Sequence, residues 1–297
     1  MKFIYGLFCF FTLSVLGCSK QDEAVQMPEL ATVKDSTPEY HFAVHPLHNP
    51  TRLFEVFHPL MTYLNAHIPE AEFELEASRD YASFDEKLKN RTVPFALPNP
   101  YQTLIAMENG YRVIAKMGDD ENFKGIILVR KDSGITKPTD LKGKVVSYPA
   151  PTALAATMLP QSYLHNHGLN INQDITNKYV GSQESSIMNV YLGSVAAGAT
   201  WPPPWKALSD ENPELKKQLK VIWQTQSLPN NSVVVRDDIP ETIATKVKNL
   251  ISGLHTTPEG QEILKKMYLS EFEPADNDSY TPVKEFIEQF EQNVRPL

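Results

Sequence analysis

The chain has 297 residues, 41% hydrophobic and 22% charged, with 23 prolines spread along it and a formal net charge of −8. That length suits two domains of ordinary size, and the mixture excludes disordered, fibrous and multi-span membrane classes. The acidic balance, with no concentrated basic face, excludes a nucleic-acid partner, because phosphate contacts need clustered Lys and Arg.

Residues 1–17 open with Lys2 and the apolar run FIYGLFCFFTLSVLG, which is short for a membrane span and too hydrophobic for a solvated helix. It reads as an export signal. The run closes on VLGC, where Gly17 precedes Cys18; this resembles the lipobox of bacterial lipoproteins and implies a lipidated Cys18, against the simpler reading of an ordinary cleaved signal. Cys9 and Cys18 are the only cysteines, so no internal disulfide is expected after cleavage. Residues 18–38 lack a sustained apolar period and read as a flexible tether.

From Tyr40 onward, short apolar runs alternate with helical periods. Strands are expected at 40–45, 72–76, 93–97, 111–117 and 123–130, with helices at 51–66, 81–90 and 100–108. A second series follows, with strands at 144–148, 176–180, 196–200 and 220–224 and helices at 139–142, 152–166, 184–192 and 202–208. A strand at 230–236 and helices at 240–253, 258–268 and 281–293 complete the chain. The pattern predicts an α/β fold with largely parallel sheets. Two series joined by two extended crossings, FKGIILVRKD outward and LPNNSVVVRDD back, predict two hinged lobes. The first lobe is expected over 39–127 plus 229–297 and the second over 128–228.

Nucleotide loops and the G-x-S-x-G elbow are absent from the sequence. HFAVHPLH sets His41 and His45 on one face of a strand, with His48 beyond. That could begin a zinc or copper site, but no acidic or His-rich loop accompanies it, and no metal or cofactor is expected. His45 is instead expected to end the strand between the lobes and donate a hydrogen bond to a ligand. In ALPNPYQT, Asn99 is suited to cap the amides of Tyr101 and Gln102 behind Pro100. In SYPAPTALAAT, Thr152 reads as the cap of a helix whose first turn carries Ala153, Leu154 and Ala155. YVGSQESSIMN presents Ser182, Gln183 and Glu184 at another helix start, with Ser185 in place of a full capping box. AAGATWPPPWKAL ends a small-residue strand at Thr200 and holds Trp201 on stiff backbone as a cleft wall, while Trp205 packs on its own lobe. Each stretch also has a purely structural reading as a cap or core contact. All lie at carboxyl ends of expected strands, where open α/β sheets place ligands.

The lipobox, the His45-Pro46 strand end, RDYASFDEKL, PNPY, VRKDSGITKPTDLKGKVVSY, GSQES and GATW together resemble the phosphonate- and phosphite-binding proteins of ABC importers, over residues 40–255. The resemblance implies a two-lobed periplasmic binding protein fold with helix amino termini converging on a small ligand. It places Tyr81 and Tyr101 at the family's first-lobe tyrosines. The family's Ser-Thr-Ser run, which binds phosphonate oxygens, corresponds to Ala153, Leu154 and Ala155; its histidine after Gly-Ser is Gln183, and its acidic residue before Gly-Ala is Ala196. The polar set is thus largely replaced. The expected ligand is either less charged than a phosphonate or an oxyanion held by backbone amides, Gln183, Asn99 and the tyrosines, with Trp201 suiting a flat, apolar or cationic portion.

The expectation is a monomeric solute-binding lipoprotein, in the periplasm or at the cell surface and anchored through Cys18. It captures a small molecule for an ABC permease and touches the membrane through its lipid alone. Two alternatives stand beside it: a ligand-binding partner of a membrane sensor, and a same-fold enzyme using Glu184 or His45 as general base.

Overall fold

The computed structural model describes residues 37–297. The expected signal peptide, Cys18 and nearly all of the tether lie outside the described residues. No described helix is long and apolar enough to cross a membrane.

The first series runs β1 (Glu39–Val44), α1 (Pro50–His67), β2 (Glu72–Glu76), α2 (Tyr81–Lys89), β3 (Phe95–Leu97), α3 (Pro100–Glu108) and β4 (Tyr111–Met117). The second runs β5 (Lys124–Arg130), β6 (Val145–Tyr148), α4 (Leu159–Asn166), β7 (Thr176–Tyr179), α5 (Gln183–Tyr191), β8 (Ala197–Thr200), α6 (Pro202–Glu211), α7 (Pro213–Gln218) and β9 (Leu219–Ser227). The chain closes with β10 (Ser232–Arg236), α8 (Glu241–Ser252), α9 (Pro258–Met267), β11 (Phe272–Glu273) and α10 (Thr281–Asn293). Neither α7 nor β11 carries enough residues to show a period in the sequence.

Two sheets result, one ordered β11-β4-β10-β3-β1-β2 and the other β7-β6-β8-β5-β9. The expectation of mostly parallel sheets holds for β1 with β2 and β3, and for β6 with β7 and β8. It fails for the strands beside the crossings: β10 pairs antiparallel with β3 and β4, and β5 with β8 and β9. A strand that has just crossed from the other lobe enters its new sheet from the opposite end, so its direction reverses. All of β5 belongs to the second sheet, so the outward crossing is residues 118–123 and not the expected 127/128 junction.

The crossings lie side by side. Leu228 N–H donates to Phe123 O (3.1 Å), Met117 N–H to Asn231 O (2.8 Å), and Asn230 Nδ2 to Gly118 O (2.8 Å). The first-lobe core is an aromatic cluster in which Phe95 meets Phe42, Phe73 and Tyr40.

The helix expected at 152–166 begins differently. Leu154–Met158 forms one wide turn closed by Met158 N–H to Ala153 O (3.2 Å), and α4 continues from it. Thr152 does not cap this turn; Thr157 ties it from within by donating Oγ1–H to Ala150 O (2.7 Å). Gly125 of β5 lies directly behind, where an added Cβ would come within 2.6 Å of Ala155 O and of Pro160. Gly125→Ala is therefore expected to displace the turn and destabilise the protein by about 1–3 kcal/mol, measured as a lowered urea midpoint at unchanged m-value.

Candidate functional site

On the first-lobe side, His45 follows the end of β1 and is buried. Its Nδ1 lies 2.8 Å from Leu97 O. A carbonyl only accepts, so Nδ1 carries the hydrogen and Nε2 keeps its lone pair. Burial lowers the ring's pKa to about 4, with the Leu97 bond opposing and His48 adding slightly, so the ring is neutral at pH 7. Toward the cavity His45 is therefore an acceptor, the reverse of the donor expected from the sequence. His41 does not share its setting: it sits half exposed on β1, bonded to Glu39 (3.1 Å) and Glu76 (2.9 Å). Glu39, His41 and Glu74 are the only metal-ligand grouping among the described residues, and none of them lines the cavity.

Tyr81 starts α2, which Asp80 caps by accepting from Ser83 N–H (2.7 Å). Burial pushes the Tyr81 phenol above its usual range, and the Gln183 side chain across the cleft only partly offsets this. Asn231, in the return crossing, is 1% exposed; its Nδ2 faces Met117 Sδ (3.4 Å) and its Oδ1 has no hydrogen-bond partner.

The second-lobe side is the turn after β6. Ala153 N–H bonds Ala150 O, and Thr157 N–H bonds Ala153 O. The N–H groups of Leu154, Ala155 and Ala156 have no acceptor among the described residues. Gln183, first in α5, accepts from Thr200 Oγ1 through Oε1 (2.9 Å), which leaves its Nε2 as a donor. Trp201 packs edge-on against Phe123 at 5.5 Å between ring centres.

His45, Tyr81, Asn99, Ala153, Leu154, Ala155, Gln183 and Trp201 line one cavity between the lobes, joined by Phe123, Ala156 and Asn231. The space between its atoms is about 220 Å³, including the part open to solvent. No Lys, Arg, Asp or Glu lines it.

Other residues named from the sequence lie elsewhere. Tyr101 packs against the core and is not a cavity wall. Gln102 completes the capping box with Asn99 and donates Nε2–H to Asp85 (2.6 Å). The Tyr101 and Gln102 amides are both taken by Asn99 Oδ1, so neither is free for a ligand. Ser182 caps α5 through Ser185 N–H (3.1 Å), and Thr200 acts through Gln183. Glu184 sits in a separate crevice of about 570 Å³, 3.1 Å from His48. Burial alone would raise its carboxyl; the His48 hydrogen bond and charge outweigh it and hold the group below the usual carboxylate range. Phe123 and Asn231 went unnoticed in the sequence because both lie in the crossings, which read as connectors; the paired Asn-Asn before SVVVR was the one available signal.

Contacts between lobes surround the cavity. Asn99 Nδ2 donates to Thr152 O (3.3 Å), His48 meets Glu184, and Arg52 pairs with Glu211. Arg295, after α10, donates to Gln161 Oε1 (2.9 Å) and Pro151 O (2.5 Å).

The sequence profile described as "ABC transporter, phosphonate, periplasmic substrate-binding protein" matches residues 42–280. The chain belongs to this family. Among curated family relatives, the phosphonates-binding periplasmic protein of Escherichia coli K12 is 23% identical over 217 residues, covering 69% of this chain and 63% of its own length. The probable phosphite-binding protein PhnD1 of Prochlorococcus marinus is 22% identical over 186 residues, 58% of this chain and again 63% of its own length. The chain thus spans less than two thirds of both. In fold, the binding component of a Pseudomonas aeruginosa ABC phosphonate transporter superposes with a TM-score of 0.78 at 18% identity, covering 86% of this chain and 87% of that one. PhnD1 in complex with methylphosphonate gives 0.79 at 18%, covering 86% and 100%. The two-lobed periplasmic-binding architecture is shared with both.

Asp85 lines a separate crevice with Tyr81 and Pro149–Thr152. Burial pushes its carboxyl up to about 6, with the Gln102 hydrogen bond opposing. A raised carboxylate costs stability when ionised, so between the unfolded pKa near 4 and about 6 the protein should gain stability as pH falls. Asp85→Asn is expected to raise Tm at pH 7–8, and the difference should vanish below about pH 4, followed by thermal unfolding across the range.

Proposed function

We propose that this protein captures one small oxyacid-type solute in the interlobe cavity and presents the closed form to the membrane subunits of an ABC importer, from the periplasm and through a lipid anchor at Cys18. One observation carries this reading: three backbone N–H groups from the second lobe with no acceptor among the described residues and buried polar side chains from the first converge on a single interlobe cavity. Such amides at a helix start suit an oxygen-rich anion, and the dipole of α4 adds to their field. Family membership and the ligands named for its relatives support the same class of solute.

Because both lobes contribute walls, bound solute favours closure by its differential affinity for the closed state. The wide crevice at Glu184 is a poorer candidate for chemistry. That carboxylate, considered as a general base, is already engaged by His48.

Methylphosphonate is expected to raise Tm and to saturate one-to-one without turnover. Gln183→Ala removes one donor and should weaken binding about tenfold, while Tyr101→Ala should leave the affinity unchanged, both read by calorimetry. Equal losses in both variants would discredit the cavity as the site. Cys18→Ser is expected to move the protein from the membrane to the soluble fraction on cell fractionation.

A further inference from the structure

We propose that the cavity selects a ligand that itself donates a hydrogen bond, namely a compact phosphorus oxyacid in its singly ionised form, still carrying one P–OH, and rejects oxyanions with no proton to give. This rests on the proposed function above and specifies its substrate.

The reason is the balance of donors and acceptors that line the cavity. Donors are the N–H groups of Leu154, Ala155 and Ala156, the Nε2–H of Gln183, which also faces the Tyr81 oxygen, and the hydroxyl of Tyr81. Acceptors are His45 Nε2, whose lone pair is fixed by the Nδ1–H bond to Leu97 O, and Asn231 Oδ1, which is buried with no partner. An anion made only of acceptor oxygens satisfies the first group and sets lone pair against lone pair at the second. Buried acceptors left unpaired are what allow a site to reject a near-isostere. A P–OH supplies the missing hydrogen. The lack of any Lys or Arg in the lining points the same way, since neutral dipoles compensate one negative charge far better than two.

The charged and titratable groups around the site are few. From α2 come Asp80, Tyr81 and Asp85; from the loop after β1, His45 and His48; from α5, Glu184, which is bound to His48; the crossings and the 153–156 turn contribute none to the cavity wall. Between pH 7 and 9 Asp85, with its pKa of about 6, stays ionised and His45, at about 4, stays neutral.

The experiment is calorimetric titration of the purified protein at pH 7, 8 and 9 with methylphosphonate, trifluoromethylphosphonate and methanesulfonate. Methanesulfonate matches singly ionised methylphosphonate in shape and charge but has no proton. It is expected to bind at least about 100-fold more weakly at every pH. For each phosphonate the Kd should rise about tenfold per pH unit above that compound's own second ionisation, so methylphosphonate should weaken from pH 7 to 9, while trifluoromethylphosphonate, the stronger acid and already doubly ionised at pH 7, should bind far more weakly throughout. Asn231→Leu should shrink the phosphonate preference at least about tenfold with the fold retained by circular dichroism.

Methanesulfonate binding within about threefold of methylphosphonate would overturn the inference, as would trifluoromethylphosphonate binding as tightly as methylphosphonate at pH 7. Either result leaves the cavity standing as the site. If none of the three binds, the inference falls. Native mass spectrometry of the protein as purified then decides the underlying reading: a carried solute of other chemistry preserves it, and bare protein removes it too.

Discussion

Three consecutive amides, those of Leu154, Ala155 and Ala156, face an interlobe cavity and have no acceptor among the described residues. An amide buried without a partner costs about 1–3 kcal/mol, so the arrangement is expensive in the empty closed state and becomes favourable when oxygen atoms arrive. Much of the surrounding structure holds these donors in place. Thr157 ties the wide turn to Ala150, and Gly125 lets β5 pass directly behind it. The turn's five-residue spacing keeps its first amides unbonded where a tighter, side-chain-capped start would have consumed one.

Facing this row of donors, the first lobe contributes shape and acceptors and no charge. His45 is neutralised by burial and oriented by Leu97, and Asn231 brings an amide from the hinge itself. The ionic groups are kept at the rim, where His48 meets Glu184 and Arg52 meets Glu211 across the lobes. This separation has a physical sense. Rim pairs form only when the lobes approach, and in contact with solvent each contributes modestly, so they guide closure without fixing it. Under the proposed function, ligand contacts inside the cavity would then decide how fully the closed state is populated.

The crossings join the site to the motion. Asn230 and Asn231 tie the outward and return segments together, and Asn231 reaches the cavity wall. Under the proposed function, a ligand held by Asn231 and by the 154–156 amides would touch a crossing and the second lobe at once. Arg295 adds a strap from the end of α10 to Gln161 and Pro151, so the carboxyl-terminal segment also senses the distance between lobes.

Local information carried a long way. Asn49, Asp80, Asn99, Ser182 and Thr257 each cap a helix, as side chains of their type do wherever a helix starts. The alternation of apolar runs located nearly every strand, strand-end stretches supplied seven of the cavity's wall residues, and the family resemblance an eighth, Tyr81. What could not be read locally depended on direction and on the partners of each atom. Whether a strand runs parallel depends on which end of the sheet the crossing enters. Tyr101 sits one step along α3 from a position fixed by the Asn99–Gln102 capping box, and that box turns it toward the core. His45 became an acceptor only because Leu97, 52 residues away in sequence, receives its Nδ1–H. The sequence by itself thus determined the elements, the two-lobed plan and the apolar dressing of the 153–156 turn, because periodicity and capping act within a few residues. Tertiary structure alone decided which donors and acceptors remain unpaired in the cleft, because a polar group is spare only after every distant neighbour has taken its share.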